Sequence, residues 1–290
     1  MTPQLSIIVP IFNEEESLLP MAEGLAAVLD PLVGSGQWQF VLVDNGSRDR
    51  TPEIVKQICI RWPESVSIEL DAPDYGNALF AGIDAADARY AAIINVDFWN
   101  ETFLQWCWHH RGLYDLVLGS KRADIGLNQQ PRYRRTLSWG LNTVLQFLFG
   151  FVGTDTHGQK FLDLDAMRPL CGECVMRRGQ FDTEFTLRAM RTGRWIAEVP
   201  VPIVELRPKR NLMVKKITQN LLDITRLKRA LRDLPADRPV RYHRWAWQDL
   251  VDGASEPSER LLAIQERRRT VEIEVVAQDA PVRATASNES

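Results

Sequence analysis

The sequence predicts an α/β fold, built on a mostly parallel β-sheet with helices packed on its faces. Short apolar runs rich in valine and isoleucine alternate with amphipathic, helix-like stretches over the first 120 residues, the pattern of successive βαβ units. Polar clusters directly follow several of these runs, as expected where parallel strands end in ligand-binding loops. The predicted strands, in chain order, are Leu5–Ile11, Phe40–Val43, Val66–Leu70, Ala91–Val96 and Leu116–Leu118.

The helix after the second strand is marked by its first residues. Asp44 to Asp49 is a turn-rich segment, and Thr51-Pro52-Glu53 follows it with proline at the first helical position, where no backbone N–H is needed. Residues that favour a turn therefore coincide with a polar cluster that could contact a ligand.

Two later segments are predicted to form amphipathic helices. Residues 136–154 carry no charge over a length that could span a bilayer, but Ser138, Asn142 and Gln146 form a polar stripe at helical spacing. This stripe favours a core helix, with a helix at a membrane interface as the alternative. Residues 212–232 combine an apolar face with six lysines and arginines, which predicts a solvated surface helix or a contact with phosphates or an anionic membrane.

Charge and cysteine content exclude several classes. A formal net charge of -3 argues against a general nucleic-acid-binding protein, which needs a basic surface. The chain opens directly into its first predicted strand without a charged leader and apolar core, so we expect it in the cytoplasm or at the inner face of the cell membrane. Only Cys171 and Cys174 form a CxxC, with no second pair for a structural zinc site, which predicts reduced thiols.

The chain is predicted to divide into a main domain and a C-terminal extension. Residues 1–232 form the domain, with a nucleotide-binding half at about 1–120 and an acceptor-side half at about 121–232. In the extension, 233–290, residues 258–269 are predicted as a charged helix and 271–276 as a strand. Residues 277–290 have the composition of a poorly ordered tail.

Three motifs carry the chemistry of the first half. Pro10-Ile11-Phe12-Asn13-Glu14 follows the first strand, Asp44-Asn45-Gly46-Ser47 the second, and Asn95-Val96-Asp97 the fourth. The carboxyl ends of parallel strands lie at one edge of a sheet, so these motifs are expected to converge on one ligand. A carboxylate there can accept from base or ribose groups, and an aromatic ring can cover a base.

In order and spacing these motifs resemble the family 2 glycosyltransferases of the GT-A fold, a Rossmann-like sheet flanked by helices. The resemblance extends over roughly residues 5–232. Within the family the sequence is most similar to the polyprenyl-phosphate, or dolichol-phosphate-type, sugar transferases. Its further matches are Gly76-Asn77-Ala78, Gly119-Ser120-Lys121-Arg122, Asp155-Thr156-His157-Gly158-Gln159-Lys160, Phe181-Asp182-Thr183-Glu184 and Glu198-Val199-Pro200-Val201-Pro202.

The resemblance implies a nucleotide-diphosphate sugar as donor, of the UDP or GDP type. Its binding residues would be Pro10, Phe12, Glu14, Asp44, Gly76, Asn77 and Asn95.

The resemblance also implies a divalent cation, Mg²⁺ or Mn²⁺, held by Asp97 against the donor diphosphate. Such a cation stabilises the charge that develops on the leaving group. Asn95 stands where the family's Asp-x-Asp motif has its first aspartate, which removes one charge from the cation site.

On the acceptor side the resemblance implies a polyprenyl phosphate or a saccharide hydroxyl. Asp182 and Glu184 would supply the base that a hydroxyl acceptor requires, whereas a lipid phosphate requires none. Asp182 is equally compatible with a helix cap. The predicted contacts to phosphate or acceptor are Lys121, Arg122, His157, Arg207, Lys209 and Arg210.

Sequence therefore predicts an inverting, metal-assisted glycosyltransferase that is cytoplasmic or peripheral to the membrane. A nucleotidylyltransferase or a dinucleotide-binding oxidoreductase is disfavoured, because no glycine-rich phosphate loop follows the first strand. The alternative is a catalytically impaired protein that binds nucleotide sugars, or a partner subunit, for which Asn95 is the main argument.

Overall fold

The computed structural model describes residues 2–124, 142–177, 179–202, 223–235, 238–252 and 261–270. Its strands are β1 Leu5–Ile11, β2 Trp38–Asp44, β3 Val66–Glu69, β4 Tyr90–Ile93, β5 Leu116–Ser120, β6 Lys160–Asp163, β7 Trp195–Pro200 and β8 Arg241–Arg244. Its helices are α1 Leu18–Val33, α2 Thr51–Arg61, α3 Tyr75–Ala85, α4 Glu101–His109, α5 142–149, α6 Leu164–Glu173, α7 Phe181–Arg191, α8 223–230, α9 Trp247–Asp252 and α10 261–270.

The strands form one eight-stranded sheet in the order β3-β2-β1-β4-β6-β5-β7-β8. All neighbouring pairs are parallel except those of β6, which runs antiparallel to both β4 and β5. The predicted α/β class with a mostly parallel sheet is confirmed. Because β1 lies between β2 and β4, the ends of the three motif-bearing strands are adjacent in space.

The core lies on both faces of this sheet. Alternate side chains of β1 point to opposite faces: Ile7 and Val9 pack with α1 and α4, and Ile8 packs with α3 and α6. Strands buried on both faces are near-continuous apolar runs, which is why β1 and β2 were recognisable in the sequence. The two layers of helices hold the carboxyl edge of the sheet in place.

The C-terminal extension joins the same sheet. The predicted boundary at residue 232 falls just after α8, yet β8 pairs in parallel with β7, and Leu261 and Ile264 of α10 pack into the core. Arg268 of α10 reaches Asp115 at 2.8 Å in a largely buried ion pair. The charged helix predicted over 258–269 corresponds to α10. The strand predicted over 271–276 and the tail at 277–290 lie outside the described residues.

The two predicted amphipathic helices are described in part. Residues 142–149 are helical, with Asn142, Leu145 and Phe149 buried, while 136–141 lie outside the described residues. Of 212–232, residues 223–230 form α8, which buries Leu227. Within the part of the chain that the structure describes, no helix has both the length and the apolar character needed to cross a membrane.

Candidate active site

The loops after β1 and β2 are joined by hydrogen bonds into one polar rim. Asn13, which has a φ of 53°, receives the N–H of Arg48 at its Oδ1 (2.8 Å) and donates its own N–H to Ser47 Oγ (3.0 Å). The Glu14 N–H donates to Thr51 Oγ1 at 2.8 Å. Asparagine tolerates this left-handed backbone better than most residues, so the motif after β1 has a local structural reason as well as a functional one.

Asp44 and Asn45 fix the end of β2. Asp44 is buried, and its Oδ1 accepts the N–H of Ser47 at 3.0 Å, which closes the turn. Asn45 Oδ1 accepts the N–H of Asp74 at 2.7 Å and so ties β2 to the start of α3. The Asp44–Ser47 motif therefore forms the predicted turn and also lies beside the predicted ligand site.

Gly76 is required by close packing at the start of α3. A Cβ atom there would lie 2.1 Å from the carbonyl oxygen of Arg177, a separation that no side chain could occupy. The segment before α7 thus lies directly against the α3 end that carries Asn77. Any larger residue at position 76 would push these two parts of the site apart.

Asn95 and Asp97 directly follow β4, and Tyr75 of α3 lies near both. Asn95 and Phe98 form a tight turn that leaves Asp97 exposed, and the Tyr75 hydroxyl donates to Asn95 Oδ1 at 3.4 Å. Although 39% of Tyr75 is exposed, desolvation of its hydroxyl, followed by the negative charges of Asp182 and Asp97, raises the pKa of Tyr75 well above its ordinary value of 10. Tyr75 therefore remains a neutral donor that lies near both carboxylates.

These oxygen ligands fit a hard divalent cation that shares its coordination with a substrate. Asp97 offers an exposed carboxylate, and Asn95 an amide oxygen two residues earlier. Among the described residues, no group of three or more histidines, cysteines and carboxylates could hold a metal alone. Mg²⁺ is commonly bound by one or two carboxylates, with phosphates and water completing its shell. This donor set matches that pattern.

Asp182 lies in a buried ion pair. Lys160 Nζ is 2.8 Å from Asp182 Oδ1, and the two side chains are 0% and 3% exposed. The contact has ion-pair distance but not hydrogen-bond alignment, and Lys160 Nζ also donates to the carbonyl of Gly158 at 3.2 Å. Removing charges from water is costly unless they are paired, so Lys160 and Asp182 depend on each other.

The hydrogen bonds of Glu184 indicate a structural role for this side chain. Its side chain is fully buried, and Oε2 accepts the N–H groups of Val175 (3.0 Å) and Met176 (2.6 Å). Arg188 Nε donates to Oε1 at 2.8 Å. These contacts tie Glu184 to the 174–177 segment and to Arg188 of the same helix. Of the two predicted bases, only Asp182 lies near Tyr75 and the β4 end.

Hydroxyl groups connect the predicted acceptor segment to α7. His157 Nδ1 is 3.0 Å from Thr156 Oγ1, which lies 3.1 Å from Thr183 Oγ1. The N–H of His157 donates to Asp155 Oδ1 at 2.9 Å, and Lys121 Nζ is 4.0 Å from Asp155 Oδ2. Asp155 thus links Lys121, which follows β5, to His157 in the loop before β6.

Glu198 holds the segment around Thr154 in place through hydrogen bonds. It is fully buried, and its Oε1 accepts the Thr154 N–H at 2.9 Å and the Thr154 hydroxyl. Arg244 of β8 lies 3.3 Å from Oε2 and donates to the carbonyl of Val152. Ser120 Oγ is 2.8 Å from Thr154 Oγ1. The C-terminal strand is therefore part of the support of the acceptor segment.

The other predicted donor and phosphate contacts lie at the carboxyl ends of β1 and β5 or outside the described residues. Phe12 is a 43%-exposed ring at the end of β1, beside half-buried Pro10. Lys121 and Arg122 are half-buried at the end of β5. Arg207, Lys209 and Arg210 lie outside the described residues. Sequence analysis assigned no role to Tyr75. It recognised Lys160 only as the last residue of the Asp155–Lys160 motif and did not predict its pairing with Asp182.

Comparison with known proteins identifies the family. A profile described as glycosyl transferase family 2 matches residues 6–155, just over half of the 290-residue chain. The chain belongs to glycosyl transferase family 2. The predicted family and enzyme class are confirmed.

Sequence relatives of this family 2 chain include a Methanocaldococcus jannaschii protein described as uncharacterized, 27% identical over 218 residues that cover 69% of this chain and 82% of the relative. An undecaprenyl-phosphate 4-deoxy-4-formamido-L-arabinose transferase of Edwardsiella ictaluri is 30% identical over 209 residues, covering 69% of this chain and 60% of that transferase. The predicted resemblance to polyprenyl-phosphate sugar transferases is therefore confirmed. The chain spans less than two thirds of the length of that transferase.

Among solved structures, a mannosyltransferase from Pyrobaculum calidifontis in complex with GDP-Man and Mn²⁺ is similar with a TM-score of 0.54 at 19% identity. The match covers 82% of this chain and 66% of the mannosyltransferase. This likeness concerns the fold and confirms the predicted GT-A architecture.

Proposed function

We propose that this chain transfers a sugar from a nucleotide-diphosphate donor to a phosphate acceptor, with inversion at the anomeric carbon and with help from a divalent cation. The observation that carries the proposal is the meeting of the β1, β2 and β4 loops with Tyr75 and the paired Asp182 at one edge of the sheet. Family membership supports sugar transfer itself.

The donor base and ribose would bind over β1 and β2. The exposed ring of Phe12 can cover one face of a base, and the Asp44 carboxylate can accept from ring N–H or ribose hydroxyl groups. Pro10, Glu14 and Asn77 border this area. UDP and GDP sugars are the first candidates, since the similar mannosyltransferase structure holds GDP-Man.

Asp97 and the Asn95 amide would hold Mg²⁺ or Mn²⁺ beside the donor diphosphate. When bound, such a cation neutralises the charge that develops on the departing diphosphate. Tyr75 keeps the Asn95 oxygen oriented through its hydrogen bond. An amide in place of a carboxylate lowers the charge of the site, so we expect weaker cation binding than an aspartate pair would give.

The acceptor side favours an acceptor that is already ionised. A hydroxyl must lose its proton as it attacks, and a base must receive that proton; the bases predicted here are carboxylates. Yet Asp182 is paired with Lys160, Glu184 is surrounded by protein N–H groups, and Asp155 faces His157 N–H and Lys121. A phosphate oxygen carries its own negative charge, and Lys121 and Arg122 can attract it.

In this reaction the acceptor phosphate oxygen attacks the anomeric carbon from the face opposite the leaving group. The new carbon–oxygen bond forms as the bond to the nucleoside diphosphate breaks. The electron pair of that bond leaves on the β-phosphate oxygen, so configuration inverts and no proton changes place. The polyprenyl phosphate named for the Edwardsiella relative is the acceptor to try first. Such an acceptor would place the chain at the cytoplasmic face of a membrane.

Asn95 supports a second candidate, a protein that binds nucleotide sugars without transferring them. The amide removes one carboxylate from the cation site, and this candidate predicts nucleotide binding that does not depend on metal.

The proposal is tested by a product assay. UDP- and GDP-sugars are incubated with Mn²⁺ and either a short polyprenyl phosphate or a saccharide, and the products are analysed by mass spectrometry and NMR. We expect a polyprenyl-phosphate sugar of inverted configuration. Transfer only to the saccharide would contradict the phosphate acceptor, and nucleotide binding without any transfer would favour the second candidate.

A further inference from the structure

An arginine-lined concavity lies between the segment before α7 and helix α8. It has a volume of about 660 Å³, and its lining residues are Val175, Met176, Arg177, Asp223, Arg226, Arg229 and Ala230. The mechanism above uses none of these side chains. Three arginines and one aspartate are among these residues, so the lining carries a net positive charge. We refer to it as the arginine pocket.

One wall of the arginine pocket is fixed by the protein. Glu184 accepts the N–H groups of Val175 and Met176, and the carbonyl oxygen of Arg177 packs against Gly76. The Arg177 guanidinium lies 3.8 Å from the centre of the Phe80 ring. Stacking uses the face of a guanidinium and leaves its N–H edge directed elsewhere, which orients that edge for an anion.

The opposite wall is helix α8, which is also docked firmly. Leu227 is buried in the core, and Arg188 donates to the carbonyl of Ala230 at 3.1 Å. Arg226 and Arg229, three residues apart, lie on the same side of this helix. Arg226 Nη1 is 3.6 Å from Asp223 Oδ1, and 66% of the Arg226 side chain is exposed, so this ion pair is loose.

We propose that the arginine pocket binds a phosphate group, carried by a small phosphorylated molecule or by an anionic lipid headgroup. Arginine forks match phosphate oxygens in pairs, and ligand sites commonly enclose about 300–1,000 Å³. The exposed Val175 at the rim adds an apolar contact beside the charges. The argument for phosphate binding here does not rest on the proposed sugar transfer.

The test compares two neighbouring residues of α8. Arg229→Glu and Lys228→Glu make the same change in charge, but Lys228 does not line the pocket. Pyrophosphate binding is measured by calorimetry with a chelator present, and vesicle binding is measured on phosphatidylcholine with and without phosphatidylglycerol. We expect Arg229→Glu to weaken binding about tenfold or more, because it removes a charge-assisted contact, and Lys228→Glu to change it less than about twofold.

Each outcome decides the proposal. Loss confined to pyrophosphate binding identifies a free phosphorylated ligand, and loss confined to phosphatidylglycerol vesicles identifies a lipid headgroup. Equal effects of the two substitutions would reduce the pocket to general surface charge and overturn the proposal. So would absence of binding by the wild-type protein, or binding that Arg229→Glu leaves unchanged. Circular dichroism checks folding, and Arg229→Gln replaces Arg229→Glu if that variant does not fold.

Discussion

Replacing Lys160 by methionine should strongly destabilise the protein. The Lys160 and Asp182 side chains are 0% and 3% exposed, and their charged atoms are 2.8 Å apart. Methionine keeps much of the volume but leaves the Asp182 carboxylate buried without its cation, a change that typically costs about 3–5 kcal/mol. For a domain of this size each kcal/mol lowers Tm by about 2–4 °C, so Lys160→Met should lower Tm by at least about 6 °C.

Two controls distinguish the loss of a buried charge partner from a general effect of substitution: a double variant and an exposed ion pair. Lys160→Met combined with Asp182→Asn removes both charges and should recover about 1–3 kcal/mol of the loss. Glu23→Gln breaks the ion pair between Glu23 and Arg61, whose side chains are 48% and 55% exposed, respectively. This substitution should lower the free energy of unfolding by less than about 1 kcal/mol. Free energies of unfolding from urea denaturation provide the comparison.

The reasoning would be refuted if Lys160→Met and Glu23→Gln proved equally mild. Asp182 would then be hydrated rather than dependent on Lys160, and a hydrated carboxylate could act as a base. The argument for a phosphate acceptor would lose its main support.

Three further substitutions and one chemical modification give additional predictions. Asp97→Ala should abolish metal-dependent release of nucleoside diphosphate while leaving Tm within about 1–2 °C, because this exposed side chain supports no packing. Tyr75→Phe should lower kcat/KM about threefold to tenfold through loss of one hydrogen bond. Because its pKa is raised, the Tyr75 phenol stays neutral in the folded protein. Its contribution to the free energy of unfolding is fully present below the ordinary pKa of 10 and is lost only as pH rises through the higher pKa of the folded state. The pH profiles of kcat/KM for Tyr75→Phe and wild type should therefore have the same shape up to pH of about 9, with the variant lower throughout. Arg244→Gln should raise KM for the acceptor more than KM for the donor, because Arg244 supports the segment around Thr154; an equal rise would contradict this positioning role. Thiol reagents should modify half-buried Cys59 first in the native protein, because burial holds the pKa of Cys171 at about 12 and that of Cys107 well above its ordinary range.

Much of the first half of the fold was predictable because its strands are buried on both faces. β1 and β2 are continuous apolar runs, and their polar ends identified the donor side. β6 was missed because its four residues begin with lysine and end with aspartate. β8 was missed because it is a basic edge strand, and charge on an edge strand resembles a surface loop in sequence.

The acceptor side was less predictable for a different reason. Asp182 of α7 could be located from its motif, but its partner Lys160 comes from β6, and no local pattern links the two. Glu184 sits in the same motif and has the same chemistry as Asp182. Only the structure shows that its oxygens bind the 174–177 segment. Pairings between distant segments decide which carboxylate can meet a substrate.

The most direct test of donor binding and cation dependence is calorimetry of UDP, GDP and their sugars, with Mn²⁺ and with chelator, combined with an assay for released nucleoside diphosphate. We predict that one base binds tightly only when Mn²⁺ is present, and that Asp97→Ala removes both the metal dependence and the release. Nucleotide binding that is the same with chelator, without any release of diphosphate, would contradict metal-assisted transfer by this chain.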